Sequence, residues 1–159
     1  TEMRHILKIH KSLAEPLAPI NTSYQICTFD PAKDKATWLA LNNKTFAKHP
    51  DQGNWALADL ENRMAESWFE PAGFFLAIED GQIVGFVWTK IHQGLVQQEP
   101  VGELFVVGVD PDHAKQGIGK ALSTEAINYF IAKGLKKAML YVDADNLNGL
   151  SLYTKLGFN

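Results

Sequence analysis

A carboxylate stands inside an apolar run at Gly102-Glu103-Leu104-Phe105-Val106-Val107. Burying an unpaired charge is costly, so Glu103 is paired, put to use, or set at a solvent-exposed edge. If used, it reads as a partly buried general base or an anchor for an ammonium group. Strand alternation puts Glu103, Phe105, Val107 and Val109 on one face, leading toward a glycine-rich loop. That loop runs from Val107-Gly108-Val109-Asp110-Pro111 to Gln116-Gly117-Ile118-Gly119-Lys120, and an amphipathic stretch follows. The first amides of a helix lack partners within it, and with the helix dipole they suit a pyrophosphate. Gly117 and Gly119 would let a ligand approach the backbone with no Cβ in the way. Lys115 and Lys120 add positive charge beside it. The Walker A pattern is absent and the dinucleotide fingerprint incomplete, so a plain glycine-rich connector is the competing reading. Downstream, Asn146 and Tyr153 stand seven residues apart, close to two helical turns, and share a face. Asn146 also suits an N-cap, and Tyr153 suits core packing.

These residues need elements to hold them. Alternation over 23–29 predicts a strand. Asp30-Pro31 opens a helix over 33–46, with Trp38, Leu39, Leu41 and Phe46 inward. His49-Pro50-Asp51-Gln52-Gly53 is a loop, and 58–68 is a second helix. Strands follow at 73–79, 83–92 and 101–109, the first two joined by the hairpin turn Asp80-Gly81. A helix over 119–133, a strand over 137–143 and a helix over 146–156 complete the order. Hairpins followed by one βαβ crossover predict an α/β (α+β) fold: a mixed, mostly antiparallel twisted sheet with helices on both faces. Residues 1–20 read as a leader or linker, helical in period over 3–17 until Pro16 and Pro19 stop it, and 21–159 as one domain.

The 159 residues, 46% hydrophobic and 21% charged, fit one domain that needs no disulfide or metal to hold a core. A net charge of −3 counts against a general nucleic-acid binder. The single cysteine, Cys27, forms no internal disulfide, which fits a reducing cytoplasm, and reads as a small buried side chain. No apolar run reaches the roughly 18 residues of a membrane span, and no signal peptide is visible. Five histidines and one cysteine show no metal-ligand spacing. Trp38, Trp55, Trp68 and Trp88 read as core.

Together the loop Gln116-Gly117-Ile118-Gly119, the strand before it and the later Asn146, Tyr153 and Gly157-Phe158 resemble the GCN5-related N-acetyltransferase (GNAT) family. The resemblance spans about residues 23–158 and implies acetyl-CoA as donor and a small-molecule amine as acceptor. It implies that Val107, Gly108, Val109, Lys115, Gln116, Gly117, Ile118, Gly119, Lys120, Asn146, Asn148 and Ser151 bind the donor. It makes Glu103 the base and Tyr153 the acid that protonates the departing thiolate.

Further segments resemble a tandem-domain actinobacterial branch of that family. They are Phe46-Ala47-Lys48-His49-Pro50-Asp51-Gln52-Gly53, Trp68-Phe69-Glu70-Pro71-Ala72-Gly73, Trp88-Thr89-Lys90-Ile91-His92, Gly102-Glu103-Leu104-Phe105-Val106-Val107-Gly108-Val109 and Leu140-Tyr141-Val142. The C-terminal domain of that branch acetylates the cysteinyl amine of Cys-GlcN-Ins. This likeness implies an N-terminal partner domain and nominates Asp51, Lys90, Glu103 and Tyr141 for the acceptor, with His49 and His92 as further contacts or surface residues. Asp51 stands where that branch is expected to carry Glu. Two alternatives stay open: a different amine acceptor (a protein N-terminus or an aminoglycoside), or a non-catalytic acyl-CoA-binding module. The family pattern also places a final strand beside 137–143. With the chain ending at Asn159, that sheet edge is expected to be bare, to be covered by further chain or by a neighbour.

Overall fold

The computed structural model describes residues 5–20, 24–49, 52–94, 98–114 and 116–159. Its strands are β1 (Ile6–Ser12), β2 (Gln25–Thr28), β3 (Phe74–Glu79), β4 (Gln82–His92), β5 (Val101–Val109) and β6 (Lys137–Asp143). Its helices are α1 (Lys35–Thr45), α2 (Leu57–Met64), α3 (Ile118–Ala132) and α4 (Leu147–Lys155). The strands form one sheet in the order β1-β6-β5-β4-β3-β2, antiparallel everywhere except between β5 and β6. The α/β reading therefore holds.

The β3–β4 turn follows from its two residues. Asp80 and Gly81 both have positive φ (52° and 77°), the pairing a two-residue type I′ hairpin requires. Helix α2 stops short of the expected 68, because Trp68 and Phe69 leave it to pack on Trp88, with ring centroids 5.8 and 5.9 Å away.

Each sheet face carries its own core. On one face, Trp38 and Leu41 of α1 and Leu60 of α2 pack on Phe74, Leu76, Phe86 and Trp88. Trp38 is fully buried and meets Trp55, Phe74, Phe86 and Trp88 edge to face. Such contacts add to a large burial term. On the other face, Ile118, Leu122, Ala126 and Phe130 of α3 and Tyr153 and Leu156 of α4 pack on Val84, Val87, Leu104 and Leu140. Among the described residues no helix is long and apolar enough to cross a membrane.

The N-terminal stretch departs from expectation. Ile6–Ser12 is a strand, not a helical leader, and pairs antiparallel with all of β6, from Ile6↔Asp143 to Ser12↔Lys137. A few apolar residues in a short window fit either period, so pairing with β6 decides. The stretch after it is held as firmly. The Leu17 N–H donates to the Asn128 side chain at 2.8 Å, and Asn128 Nδ2 donates back to the Leu17 carbonyl at 2.8 Å. Leu13 is buried in the α3–α4 core.

The expected bare edge beside 137–143 is therefore wrong: β1 lies there. Asn159 continues the pattern on the outer side of β1. The His10 amide donates to the Asn159 carbonyl at 2.9 Å, and the Asn159 amide donates to the His10 carbonyl at 2.8 Å.

Candidate active site

The site starts from a failure of strand pairing. β5 and β6 pair only at Gly102↔Ala138 and Glu103↔Met139, and then part. β5 is also bulged: Trp88 lies opposite Val106 and Thr89 opposite Leu104, which leaves Phe105 as the extra residue. The bulge resets the alternation. Phe105 and Val106 both pack with the tryptophan cluster, whereas Val107 and Val109 pack with the α3–α4 cluster. The expected single face of Glu103, Phe105, Val107 and Val109 is thus broken at Phe105.

The Asp110 amide donates to the Val84 carbonyl of β4 at 2.8 Å. Backbone groups alternate sides along a strand, so those of Gly108 face β4 as well, and those of Val107 and Val109 face the gap left by β6. Oriented amides beside such a gap can bind an extended ligand or polarise a carbonyl.

A cavity of about 230 Å³ opens there. Leu104, Phe105, Val106 and Val107 line it from β5, and Tyr141, Val142 and Asp143 from β6. Asn146, Tyr153, Phe46, His49, Gln52 and Ile6 complete it. The seven-residue spacing therefore works as read, bringing Asn146 and Tyr153 to one cavity. Asn146 also does the structural job of an N-cap, its Oδ1 accepting from the Gly149 amide at 3.0 Å. Tyr153 is 8% exposed, its ring 6.0 Å from that of Phe158. Burial pushes its phenol well above the ordinary value, so it holds its proton.

Two polar groups in this wall, Gln52 and Asp143, were not assigned a site role by sequence reasoning. The Gln52 amide donates to His49 Nδ1 at 3.0 Å, which leaves Nε2 as the protonated nitrogen of a neutral ring. His49 Nε2 lies 3.7 Å from Asp143 Oδ2. Tyr141 is half exposed, with Lys8 Nζ of β1 5.9 Å from its ring centre. Lys8 and Ile6 could not be foreseen while 1–20 read as a leader.

Glu103 is buried at 7% exposure but stands one residue outside the cavity lining. It faces the tryptophan side, opposite Lys90, and is hydrogen-bonded to His92. Lys90 does not line the cavity either. Its Nζ sits 4.8 Å from the Trp68 ring centre and 5.8 Å from that of Phe105, which does line it.

At the start of α3, Gly117 takes φ 77°, and a Cβ added to it would meet nothing within 4 Å, so that side of the backbone is open. Gly119 serves packing instead: a Cβ there would meet Leu152 at 3.2 Å. The Ile118 side chain is buried in the core, so only its backbone can face a ligand. Lys120, Asn148 and Ser151 are exposed, the last two on α4 and outside the cavity lining. The Gln116 side-chain carbonyl accepts a hydrogen bond from the Tyr24 hydroxyl. Lys44 of α1 ties itself to Asp110 at 2.9 Å and Asp112 at 2.8 Å, fixing the loop's first turn. Burial pushes the Asp110 carboxyl up, but Lys44 and the Asp112 amide outweigh it and hold it below the usual range. Asp51 and Lys115 lie outside the described residues.

The model of the Acetyltransferase (GNAT) family matches residues 23–158. The chain belongs to this family. Members of the GNAT family move an acetyl group from acetyl-CoA, and the open amides of α3 with Gln116 and Lys120 fit the anionic part of that donor. The chain is 44% identical over 167 residues to a mycothiol acetyltransferase of Acidothermus cellulolyticus, covering 98% of the chain and 51% of that relative. It is 49% identical over 146 residues to a mycothiol acetyltransferase of Streptomyces avermitilis, covering 92% and 46%. The chain thus spans about half the length of the curated relatives it matches. A GCN5-related N-acetyltransferase of Sphaerobacter thermophilus shares the GNAT fold at TM-score 0.82 and 24% identity, over 98% of this chain and 48% of that one.

Proposed function

We propose that this GNAT domain transfers the acetyl group of acetyl-CoA to the cysteinyl amine of Cys-GlcN-Ins. The observation that carries the reading is the β5–β6 gap, with the backbone of Val107 and Val109 on one side and the buried Tyr153 phenol at its wall. Relatives named mycothiol acetyltransferase at 44% and 49% identity support the choice of acceptor. The chain spans about half the length of those relatives, and our reading takes it as the C-terminal half of a tandem protein that works in the cytoplasm.

The chemistry runs as follows. An aliphatic α-amine is mostly protonated near neutral pH and must lose a proton before it attacks. Glu103, one residue behind the cavity wall, takes that proton through water. The amine nitrogen forms a bond to the acetyl carbon, and the carbon–sulfur bond breaks. Amides at the gap offset the charge that gathers on the carbonyl oxygen. Tyr153, kept protonated by burial, gives its proton to the leaving sulfur. Asp51, Lys90 and Tyr141 hold the sugar and inositol hydroxyls, together with His49 and Asp143 on the cavity wall.

The test is an acceptor panel. The purified domain is given acetyl-CoA with Cys-GlcN-Ins, a peptide with a free N-terminus, or an aminoglycoside, and thiol release is followed. Release with Cys-GlcN-Ins alone is expected. Preference for the peptide or aminoglycoside would reassign the acceptor. Calorimetric binding of acetyl-CoA without release on any amine would make this a binding module.

A further inference from the structure

We infer that His92 is the route by which Glu103 returns its proton to solvent. The inference rests on the reading of Glu103 as the group that receives the amine proton. Glu103 is 7% exposed, and a carboxylate so enclosed needs a carrier to trade protons with bulk water. Glu103 Oε1 and His92 Nε2 are hydrogen-bonded at 2.6 Å, the ring N–H donating when the carboxylate is ionised. The His92 side chain is 43% exposed against 9% for that of Glu103, so the ring bridges the buried oxygen and the solvent. Imidazole is the side chain suited to take and release a proton near neutral pH. Lys90, opposite Glu103, cannot do this work: a protonated ammonium has no lone pair, and its charge rests on Trp68 and Phe105.

The proton count closes. A protonated amine and acetyl-CoA give an amide, a thiol and one free proton. The nitrogen sheds two protons in all. One replaces the proton that Tyr153 delivers to sulfur. The other passes to Glu103. The half-exposed ring then turns its unprotonated nitrogen, Nδ1, to the carboxylic acid and takes that proton, and the imidazolium releases the Nε2 proton, now on the exposed side, to water or buffer.

His92→Gln keeps a hydrogen-bond donor beside Glu103 but cannot carry a proton. Steady-state thiol release from acetyl-CoA and Cys-GlcN-Ins, in dilute buffer free of imidazole, should show kcat lowered on the order of tenfold. KM for acetyl-CoA should stay within about twofold, and added imidazole should restore most of the rate. Independently of turnover, the ring nitrogen resonances of His92 should move in Glu103→Gln. A parental rate in His92→Gln, a loss that imidazole does not repair, or His92 resonances blind to Glu103→Gln would each overturn the relay alone. A parental rate in Glu103→Gln, or a parent inactive on every amine, would instead overturn the function reading, and the relay with it.

Discussion

At the scale of single residues, the chemistry turns on how burial sets what a side chain can do. Tyr153 can serve as the proposed acid only while it keeps its proton, and burial holds its phenol above the free value of 10.0. No loss of kcat centred near pH 10, where a free phenol ionises, is therefore expected in a pH–rate profile. A decline centred there would contradict the buried-acid role. The sign for stability follows from the same shift. Above about pH 10 the unfolded chain releases a proton that the folded one retains, so stability falls as pH rises further. Glu103, Asn146 and Tyr153 were legible in the sequence because each breaks a local rule or keeps a helical spacing. Their partners were not. His92 meets Glu103 from the neighbouring strand, and Gln116 meets Tyr24 across 92 residues of sequence. Such pairings depend on strand register and on chain folding over long distances.

At the scale of elements, the bulge at Phe105 and the early parting of β5 from β6 shape the proposed site. Hydrophobic periodicity revealed every strand and helix after residue 24, because each carries an apolar face or run. It could not reveal the bulge, since one extra residue changes faces without changing composition. The glycines of the loop also separate by task. Gly117→Ala forces a φ of 77° on a residue with a Cβ, at a cost of about 1 kcal/mol or more, and is expected to raise KM for acetyl-CoA. Gly134→Ala is the control, with φ 81° just beyond α3. It should cost similar stability by chemical denaturation and leave that KM unchanged. Equal KM values in the two variants would detach Gly117 from the donor site.

At the scale of the whole molecule, β1 is the part the sequence hid. Its apolar residues fit a helix as well as a strand, and its partner lies more than 120 residues away. It closes the sheet beside β6 and brings Ile6 and Lys8 to the gap. Removing residues 1–13 should lower the melting temperature and promote self-association through the freed edge of β6. A shortened chain that stays monomeric and melts like the parent would contradict that role. All of this architecture serves one claim: acetyl transfer takes place at the β5–β6 gap, with Tyr153 as its acid. The most direct test is single-turnover acetyl transfer to Cys-GlcN-Ins in the parent and in Tyr153→Phe, with acetyl-CoA affinity measured alongside. The account predicts a rate lower by about a hundredfold or more in the variant, at nearly unchanged affinity. An equal rate in the two proteins would contradict it.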